Sequence, residues 1–215
     1  MIVHDLGLIE YGKALKIQEA TRDAIISGEG DDTLLVCEHP KVITIGRAVG
    51  SAAEVFSRDI PVFEVSRGGR ATLHLPGQVV AYPILDLKKR EKDLHGYMRR
   101  LEEAIIATLG DFRINGERVE GKTGVWVGDD ARKIASLGIA VKKWVCYHGI
   151  ALNVICDLEA FKSISPCGFE SNVMTSADRE LGEEYRKVWA IDSDRLFKNV
   201  KTRLVENLNT ELGVE

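Results

Sequence analysis

Two residues in the second half of the chain have types and settings suited to nucleophilic chemistry. Cys167 lies in Ser165-Pro166-Cys167-Gly168, where proline and glycine predict a tight loop. We expect Cys167 to be more accessible than the three other cysteines, which fall within or beside strand-like runs: Cys37, Cys146 and Cys156. Because the thiolate is the reactive form, a working cysteine needs a cation, a helix N-terminus or a base nearby. A purely structural loop cysteine is the alternative.

Lys133 is the second of these residues, within the strand-like run 131–139. Strict alternation would place its side chain on the same apolar face as Ala135, Leu137 and Ile139. A lysine held on a partly buried face can act as a base or as the counter-ion of a thiolate. The alternative is a lysine near a hairpin end whose ammonium reaches water.

A glycine-rich stretch from Ser66 to Gln78 is the third candidate, with three glycines, one proline, two arginines and His74 in thirteen residues. Strand-like runs, 60–65 and 79–85, flank it. Glycine allows sharp turns and close approach of the backbone to a ligand, but the patterns of phosphate and dinucleotide loops are missing. A ligand cradle and an ordinary irregular loop both fit. His74 and His148 could orient a partner or pair with the cysteine, or could be structural.

Composition bounds the class of protein. The chain has 215 residues, 45% of them hydrophobic, a net charge of −4 and a pI near 5.8. These values favour one domain and argue against a nucleic-acid binder. The sequence contains no C-x-x-C pair, so we expect no zinc site. We also expect no export signal and no membrane-spanning run. We therefore expect reduced thiols and a cytoplasmic location.

The elements that would position these residues are strands and a few helices. Hydrophobic periodicity predicts helices over 10–27, 93–110 and 192–210, with Asp93 as an N-cap. β-branched and apolar runs predict strands over 2–8, 33–37, 42–45, 60–65, 79–86, 124–127, 133–141 and 144–154. Asn115-Gly116 and Lys142-Lys143 are read as turns, residues 48–59 as loop and 157–162 as a helical turn. This mixture predicts an α+β (mixed α/β) fold.

Four segments in order resemble the octanoyltransferases of lipoate biosynthesis, in the biotin/lipoate protein ligase superfamily. They are 67–78, 132–138, 148–153 and 166–168, which read RGGRATLHLPGQ, RKIASLG, HGIALN and PCG. No single segment is specific, but the ordered combination is, and weaker likeness extends from about 34 to 176. The resemblance implies a single catalytic domain over 1–215, with a mixed, mostly antiparallel β-sheet flanked by helices.

The resemblance also implies roles for residues. Cys167 would be the nucleophile that forms a thioester, and Lys133 would favour the thiolate and shuttle protons. Contacts to the acyl group would come from Arg67, Gly68, Gly69, Arg70, Ala71, Thr72, Leu73, His74, Ser136, Leu137, Gly138, Gly149, Ile150 and Ala151.

Partners follow from the same resemblance. The donor would be octanoyl-acyl carrier protein, and the acceptors would be lipoyl domains of 2-oxoacid dehydrogenase complexes and the glycine-cleavage carrier protein. No metal, cofactor, nucleic acid or membrane is expected, and we expect a monomer. A basic cluster could receive an acidic carrier: Lys88, Lys89, Arg90, Lys92, Arg99 and Arg100.

Two other functions stay open. An ATP-dependent lipoate or biotin protein ligase would share the fold but needs no nucleophilic cysteine, and we expect no extra C-terminal domain after the last helix. A catalytically silent binding module is the other.

Leu75 departs from the family pattern, which has glycine between the histidine and the proline. Residues before proline favour extended backbone. We therefore expect Leu75 to be extended, with a side chain that narrows or lines the acyl slot.

Overall fold

The computed structural model describes residues 1–48, 50–57, 59–165, 173–189 and 192–213. The strands are β1 (Ile2–Leu8), β2 (Thr33–Glu38), β3 (Val42–Ile45), β4 (Val62–Glu64), β5 (Ala71–His74), β6 (Gln78–Asp86), β7 (Gly116–Val119), β8 (Lys122–Val127), β9 (Arg132–Lys142) and β10 (Val145–Asn153). The α-helices are α1 (Tyr11–Ser27), α2 (Leu94–Asp111), α3 (Ala177–Glu180), α4 (Glu183–Trp189) and α5 (Ser193–Leu212). No described helix is long and apolar enough to cross a bilayer.

The strands form two sheets. The larger has the order β1-β2-β6-β10-β9-β8-β7, and the smaller has the order β4-β3-β5. In the larger sheet β1 pairs with β2 in parallel, and every later neighbour is antiparallel. The predicted α+β fold, with a mixed and mostly antiparallel sheet flanked by helices, is therefore confirmed.

Alternation along β6 explains how the helices are layered. Val79, Ala81 and Leu85 pack into the cluster that contains α2 and α5, whereas Val80 and Tyr82 pack into the cluster that contains α1. Successive strand residues point to opposite faces, so α1 covers one face of the large sheet and α2 with α5 covers the other. All nine residues of β6 are buried as a result.

The three long helices begin and end as local chemistry dictates. Asp93 and Asp192 accept N–H bonds at the starts of α2 and α5. Gly28 ends α1 in the left-handed region, where glycine is favoured. The apolar stripe of α5 is buried throughout, at Leu196, Phe197, Val200, Leu204, Leu208 and Leu212.

Several local predictions were wrong. The glycine-rich stretch contains β5, which is buried and pairs with β3 through a contact that local sequence does not reveal. Asn115-Gly116 is not a hairpin turn, because the chain reverses directly out of α2 with Arg113 at φ 58 and Gly116 begins β7. The hairpin turn instead lies at 120–121, with Gly121 at φ 73.

Smaller differences concern other turns and short helices. The β9–β10 turn is Lys143-Trp144, since both residues have positive φ, as two-residue hairpins require. A short 3₁₀ helix, Ser51–Glu54, interrupts the predicted loop 48–59, and the predicted helical turn near 157–162 is a 3₁₀ helix, Leu158–Ser163. Neither α3 nor α4 was predicted, because both are too short to show a period.

Candidate active site

Three of the segments singled out in the sequence surround one cavity. We call this space the central cavity. It is lined by Tyr11, Arg67, Gly69, Arg70, Thr72, His74, Tyr82, Ser136, Leu137, Gly138, His148, Gly149, Ile150 and Ala151. Strand alternation in β5 turns Thr72 and His74 to this cavity, while Ala71 and Leu73 are buried away from it. Gly68 lies behind the wall, where its N–H donates to the Ile139 carbonyl at 2.8 Å.

Arg67 holds the glycine-rich wall in shape. Its guanidinium donates to the carbonyls of Gly68 (3.0 Å) and Arg70 (2.8 Å), and to the carbonyl and hydroxyl of Thr44 (2.9 and 2.8 Å). A Cβ on Gly138 would lie 2.8 Å from Arg67 Cδ, so glycine is needed there for the second wall to approach the first. This packing fixes the distance between the two walls.

Pro83 opens the central sheet beside the cavity. Proline cannot donate to a strand ladder, and the pairing of β6 with β10 is interrupted between Leu85 and Ala81. By register Pro83 stands opposite His148, which takes φ 59 and donates its N–H to Gln18 Oε1 on α1 at 3.2 Å. The sheet therefore bends away from regular pairing where the cavity lies.

Aromatic side chains form the α1 side of the cavity. The His74 ring stacks on Tyr11 with ring centres 6.0 Å apart. Next to them His39 Nδ1 donates to the Ile9 carbonyl at 2.7 Å, so its Nε2 accepts from the Tyr82 hydroxyl at 2.7 Å. Burial raises the pKa of Tyr11 to about 12, so the wall is neutral at physiological pH.

The histidines around the cavity are uncharged. Burial lowers the pKa of His148 to about 3, helped by the charges of Arg67 and Arg22. Burial also lowers the pKa of His74 well below its usual value. Within the described part of the chain, Nδ1 of each ring has no hydrogen-bond partner.

Lys133 lies in β9 outside the lining of the central cavity. Its side chain is 2% exposed, so the prediction of a buried lysine is confirmed and the solvent-reaching alternative is excluded. Nζ donates to the Thr123 carbonyl at 2.9 Å and lies 5.3 Å from the centre of the Trp126 ring. Alternation is not strict here, because the register between β8 and β9 shifts by one residue at Val125.

Cys167, with Pro166 and Gly168, lies outside the described residues. The described chain on either side is anchored at both ends. Ser165 donates its N–H to the Glu54 carbonyl at 2.8 Å, and Thr175 donates its N–H to the Lys133 carbonyl at 2.9 Å. The described residues Ser165 and Thr175 therefore lie at the 3₁₀ helix 51–54 and beside Lys133, respectively.

The three other cysteines are buried, as predicted. Burial raises the pKa of Cys146 and of Cys156 to about 12, and it raises the pKa of Cys37 further. Their thiols are protonated near neutral pH, which leaves them unreactive.

The position of Leu75 differs in part from the prediction that its backbone is extended and its side chain narrows or lines the acyl slot. It is absent from the residues with positive φ, in agreement with extended backbone. Its side chain is 2% exposed and packs with Ile43, Cys156 and Phe161 under the small sheet. The expectation that it lines or narrows the slot is therefore wrong, because the strand β5 directs it to the opposite side.

Three residues of the basic cluster at 88–100 make polar contacts within the fold. Lys88 pairs with Asp86, and Arg90 pairs with Asp32 and donates to the Leu212 carbonyl. Arg100 donates to the Glu211 carbonyl. Lys88 is still 45% exposed and a bond to a carbonyl leaves the charge of Arg100 in place, so docking of an acidic carrier on this cluster stays a prediction.

Sequence reasoning did not assign four of the residues near the cavity. Tyr11 lies in the predicted helix 10–27, Tyr82 lies inside an apolar run, and several alternatives were left open for His148. Glu54 showed no local signal, yet it pairs with Arg70 and accepts the Ala71 N–H at 3.3 Å. These contacts join residues distant in sequence.

Comparison with known proteins places the chain in a family. A model of the lipoyl protein ligase A/B catalytic domain matches residues 10–202. An octanoyltransferase of Geotalea uraniireducens is 43% identical over 188 residues, covering 87% of this chain and 86% of the relative. An octanoyltransferase of Citrifermentans bemidjiense is 44% identical over 212 residues, covering 99% of each chain.

Solved structures share the fold at low identity. Lipoate-protein ligase A bound with ATP matches with a TM-score of 0.70 and 16% identity, over 100% of this chain and 85% of that one. A bipartite lipoate protein ligase from Thermoplasma acidophilum, described together with its E2 lipoyl domain, matches with a TM-score of 0.68 and 18% identity, over 100% and 86%. Taken with the sequence relatives, the chain belongs to the lipoyl protein ligase A/B catalytic-domain family, among its octanoyltransferases.

Proposed function

We propose that the chain, as one catalytic domain, transfers an octanoyl group from octanoyl-acyl carrier protein to a specific lysine of lipoyl-accepting domains. The octanoyltransferase relatives and the ligase fold support an octanoyl-transfer or ligase-type function. The observation that carries the proposal is the convergence of Arg67–His74, Ser136–Gly138 and Gly149–Ala151 on the central cavity. That cavity offers an acyl chain a place to bind.

The first half-reaction forms a thioester on Cys167. The Lys133 ammonium favours the thiolate, which attacks the donor carbonyl carbon. The bond between that carbon and the carrier sulfur breaks, and the carrier leaves as a thiol after taking a proton from the Lys133 ammonium. A backbone N–H in the glycine-rich wall or near Gly168 stabilises the oxyanion. The donor thioester is already activated, so this route uses no ATP.

The second half-reaction forms the amide. The acceptor lysine attacks the Cys167 thioester as a neutral amine, and neutral Lys133 takes the proton that this amine loses. The carbon–sulfur bond breaks and Cys167 leaves as a thiolate beside the restored ammonium. Amide formation from a thioester is downhill, which drives the step.

The central cavity would select the acyl chain by apolar burial. Each buried CH₂ contributes about 0.8 kcal/mol, so an octanoyl chain gains about 5 kcal/mol. Leu137, Ile150 and Ala151 supply apolar surface in the lining. The glycines at 69, 138 and 149 let the backbone lie close to the chain.

The acceptors we propose are lipoyl domains of 2-oxoacid dehydrogenase complexes and the glycine-cleavage carrier protein. The archaeal ligase of the same fold, described together with its E2 lipoyl domain, supports acceptors of this kind. We propose that the protein acts as a monomer in the cytoplasm.

An acceptor assay with two donors tests this function against the ligase alternative. The protein is mixed with a lipoyl domain and either octanoyl-acyl carrier protein or free octanoate with ATP, and the mass of the lipoyl domain is followed. We expect a gain of one octanoyl group with the carrier donor and none with octanoate and ATP. Equal rates with both donors would reverse the assignment in favour of an ATP-dependent ligase.

A further inference from the structure

The Lys133 side chain lies in a cradle on the neighbouring strand, made by Thr123, Gly124 and Trp126 of β8. Trp126 is the register partner of Lys133 across the two strands. It is fully buried, and the centre of its ring lies 5.3 Å from Lys133 Nζ. The Thr123 carbonyl accepts from the same Nζ at 2.9 Å. An aromatic face and a carbonyl oxygen both stabilise an ammonium that has lost its water.

Gly124 makes room for this arrangement. It has φ 117, which only glycine readily adopts. A Cβ at this position would lie 2.8 Å from Lys133 Cε and 2.5 Å from the Ala135 carbonyl oxygen. Its N–H donates to Glu102 Oε1 on α2 at 3.2 Å. The cradle is therefore held from behind by a helix.

A β-bulge directs Lys133 into the cradle. Trp126 pairs with Lys133 whereas Val125 pairs with Ala135, so Ile134 is the extra residue on β9. Bulges re-aim side chains and occur next to active sites. The Lys133 backbone also forms a bridge with Met174, which immediately precedes the anchor Thr175.

We propose that Trp126 is a positioning residue of the acyl-transfer reaction, holding the Lys133 ammonium with the Thr123 carbonyl so that it acts on Cys167. This inference rests on the proposed function, because it concerns the lysine that serves Cys167 there. It goes further by stating that Trp126 affects the reactivity of Cys167 through Lys133 and not through the stability of the fold.

Other charged groups lie near the cradle, and their effects must be distinguished from the effect of Lys133. The exposed Lys122 places its Nζ 5.1 Å from the centre of the same ring. Glu102 contacts Gly124 and also pairs with Arg118. Arg132 on β9 binds Glu180, which also accepts from Thr175. We expect Lys122→Ala to leave the effect of Trp126 unchanged, because Lys122 lies in solvent.

The test measures the rate of Cys167 alkylation by iodoacetamide between pH 5.5 and 9.5 in a double-mutant cycle. Trp126→Leu and Trp126→Phe are each made with Lys133 present and with Lys133→Met. With Lys133 present we expect Trp126→Leu to slow alkylation at neutral pH about tenfold and Trp126→Phe about threefold. With Lys133→Met neither should slow it further. Trp144→Phe, at the exposed β9–β10 turn, is the matched control and should change nothing.

Three outcomes decide the inference. If Trp126→Leu slows alkylation equally in both backgrounds, Trp126 acts through stability and the inference is overturned. If neither Trp126 variant slows it when Lys133 is present, the inference also fails. If Lys133→Met alone leaves the profile unchanged, the proposed function of Lys133 fails instead. Circular dichroism checks that each variant folds. If Trp126→Leu does not fold, the comparison of Trp126→Phe with and without Lys133 tests the inference, because this variant keeps an aromatic ring.

Discussion

At the scale of single residues, the central cavity depends on close contact between its two walls. Gly138 lies against the Arg67 side chain, and Gly68 donates its N–H to the Ile139 carbonyl next to it. Arg67 uses four hydrogen bonds to shape the glycine-rich wall. Any added atom at Gly138 would force these walls apart.

Gly138→Ala tests this contact. The added methyl group would lie 2.8 Å from Arg67 Cδ and 3.2 Å from the Gly68 carbonyl oxygen. We expect a loss of about 1–3 kcal/mol in the free energy of unfolding, measured by urea denaturation, and a raised KM for the acyl donor. Gly110→Ala is the control, because its Cβ would meet nothing within 4 Å in α2 and should stabilise the protein slightly. Equal effects of the two changes would refute the contact argument.

Lys133 can be tested through the thiol that it serves. We expect Lys133→Ala to slow alkylation of Cys167 at neutral pH and to leave the rate at high pH unchanged, because the thiolate forms there without help. The measurement is the alkylation rate against pH. Lys122→Ala, an exposed lysine near the same ring, is the control. Identical profiles for wild type and Lys133→Ala would rule out the role.

At the scale of elements, the short 3₁₀ helix 51–54 joins two parts of the site. The Glu54 side chain pairs with Arg70 in the cavity wall and accepts the Ala71 N–H of β5. Its carbonyl accepts the N–H of Ser165, at the start of the segment that carries Cys167. The neighbouring Val55 bridges Ile164. This helix therefore fixes the cavity wall and one end of that segment to each other.

Glu54→Ala should disturb both partners at once. It leaves the buried Ala71 N–H without an acceptor, which costs about 1–3 kcal/mol of stability. We also expect acyl transfer to fall about tenfold, a cost of about 1.4 kcal/mol in the barrier. Glu54→Gln should lose less, since its amide oxygen still accepts from Ala71. Glu159→Ala, which removes an exposed ion pair with Lys162, is the control. Normal transfer by a stable Glu54→Ala protein would show that the link is unimportant.

At the scale of the whole molecule, three buried histidines make the fold sensitive to acid. Burial lowers the pKa of His39, His74 and His148 below the ordinary value of 6.5. The unfolded chain therefore takes up protons below pH 6.5 that the folded chain does not. The stability that these neutral rings provide is present above pH 6.5 and is lost as the pH falls toward about 3, the pKa of His148.

Urea unfolding at pH 7 and pH 5.5 measures this sensitivity above the range where carboxylates titrate. His74 and His148, whose pKa values are lowered furthest, should each lower the free energy of unfolding by about 1 kcal/mol between these values. His148→Gln should therefore make the decline shallower by about that amount. His95→Gln, at an exposed position, should not change the decline. A pH dependence that is the same in His148→Gln and wild type would contradict the argument.

The sequence predicted the elements that carry long periodic patterns, and it missed those that depend on distant partners. The long helices and the buried strands β2 and β6 follow from apolar spacing alone. Strand β5 was not predicted, because its conformation depends on pairing with β3 more than on its glycine-rich neighbours in sequence. Leu75 was misplaced for the same reason. The family resemblance predicted that the segments around the cavity converge. The Glu54 link and the Trp126 cradle join residues distant in sequence and are seen only in the three-dimensional structure.

Octanoyl transfer through a thioester on Cys167 is tested most directly by intact-protein mass spectrometry after mixing the protein with octanoyl-acyl carrier protein. We expect one octanoyl adduct, removed by hydroxylamine as a thioester is, absent from Cys167→Ser and retained by Cys156→Ser, whose thiol is buried. Peptide mapping should place the adduct on Cys167. A wild-type protein that modifies the lipoyl domain without ever carrying this adduct would contradict the covalent mechanism.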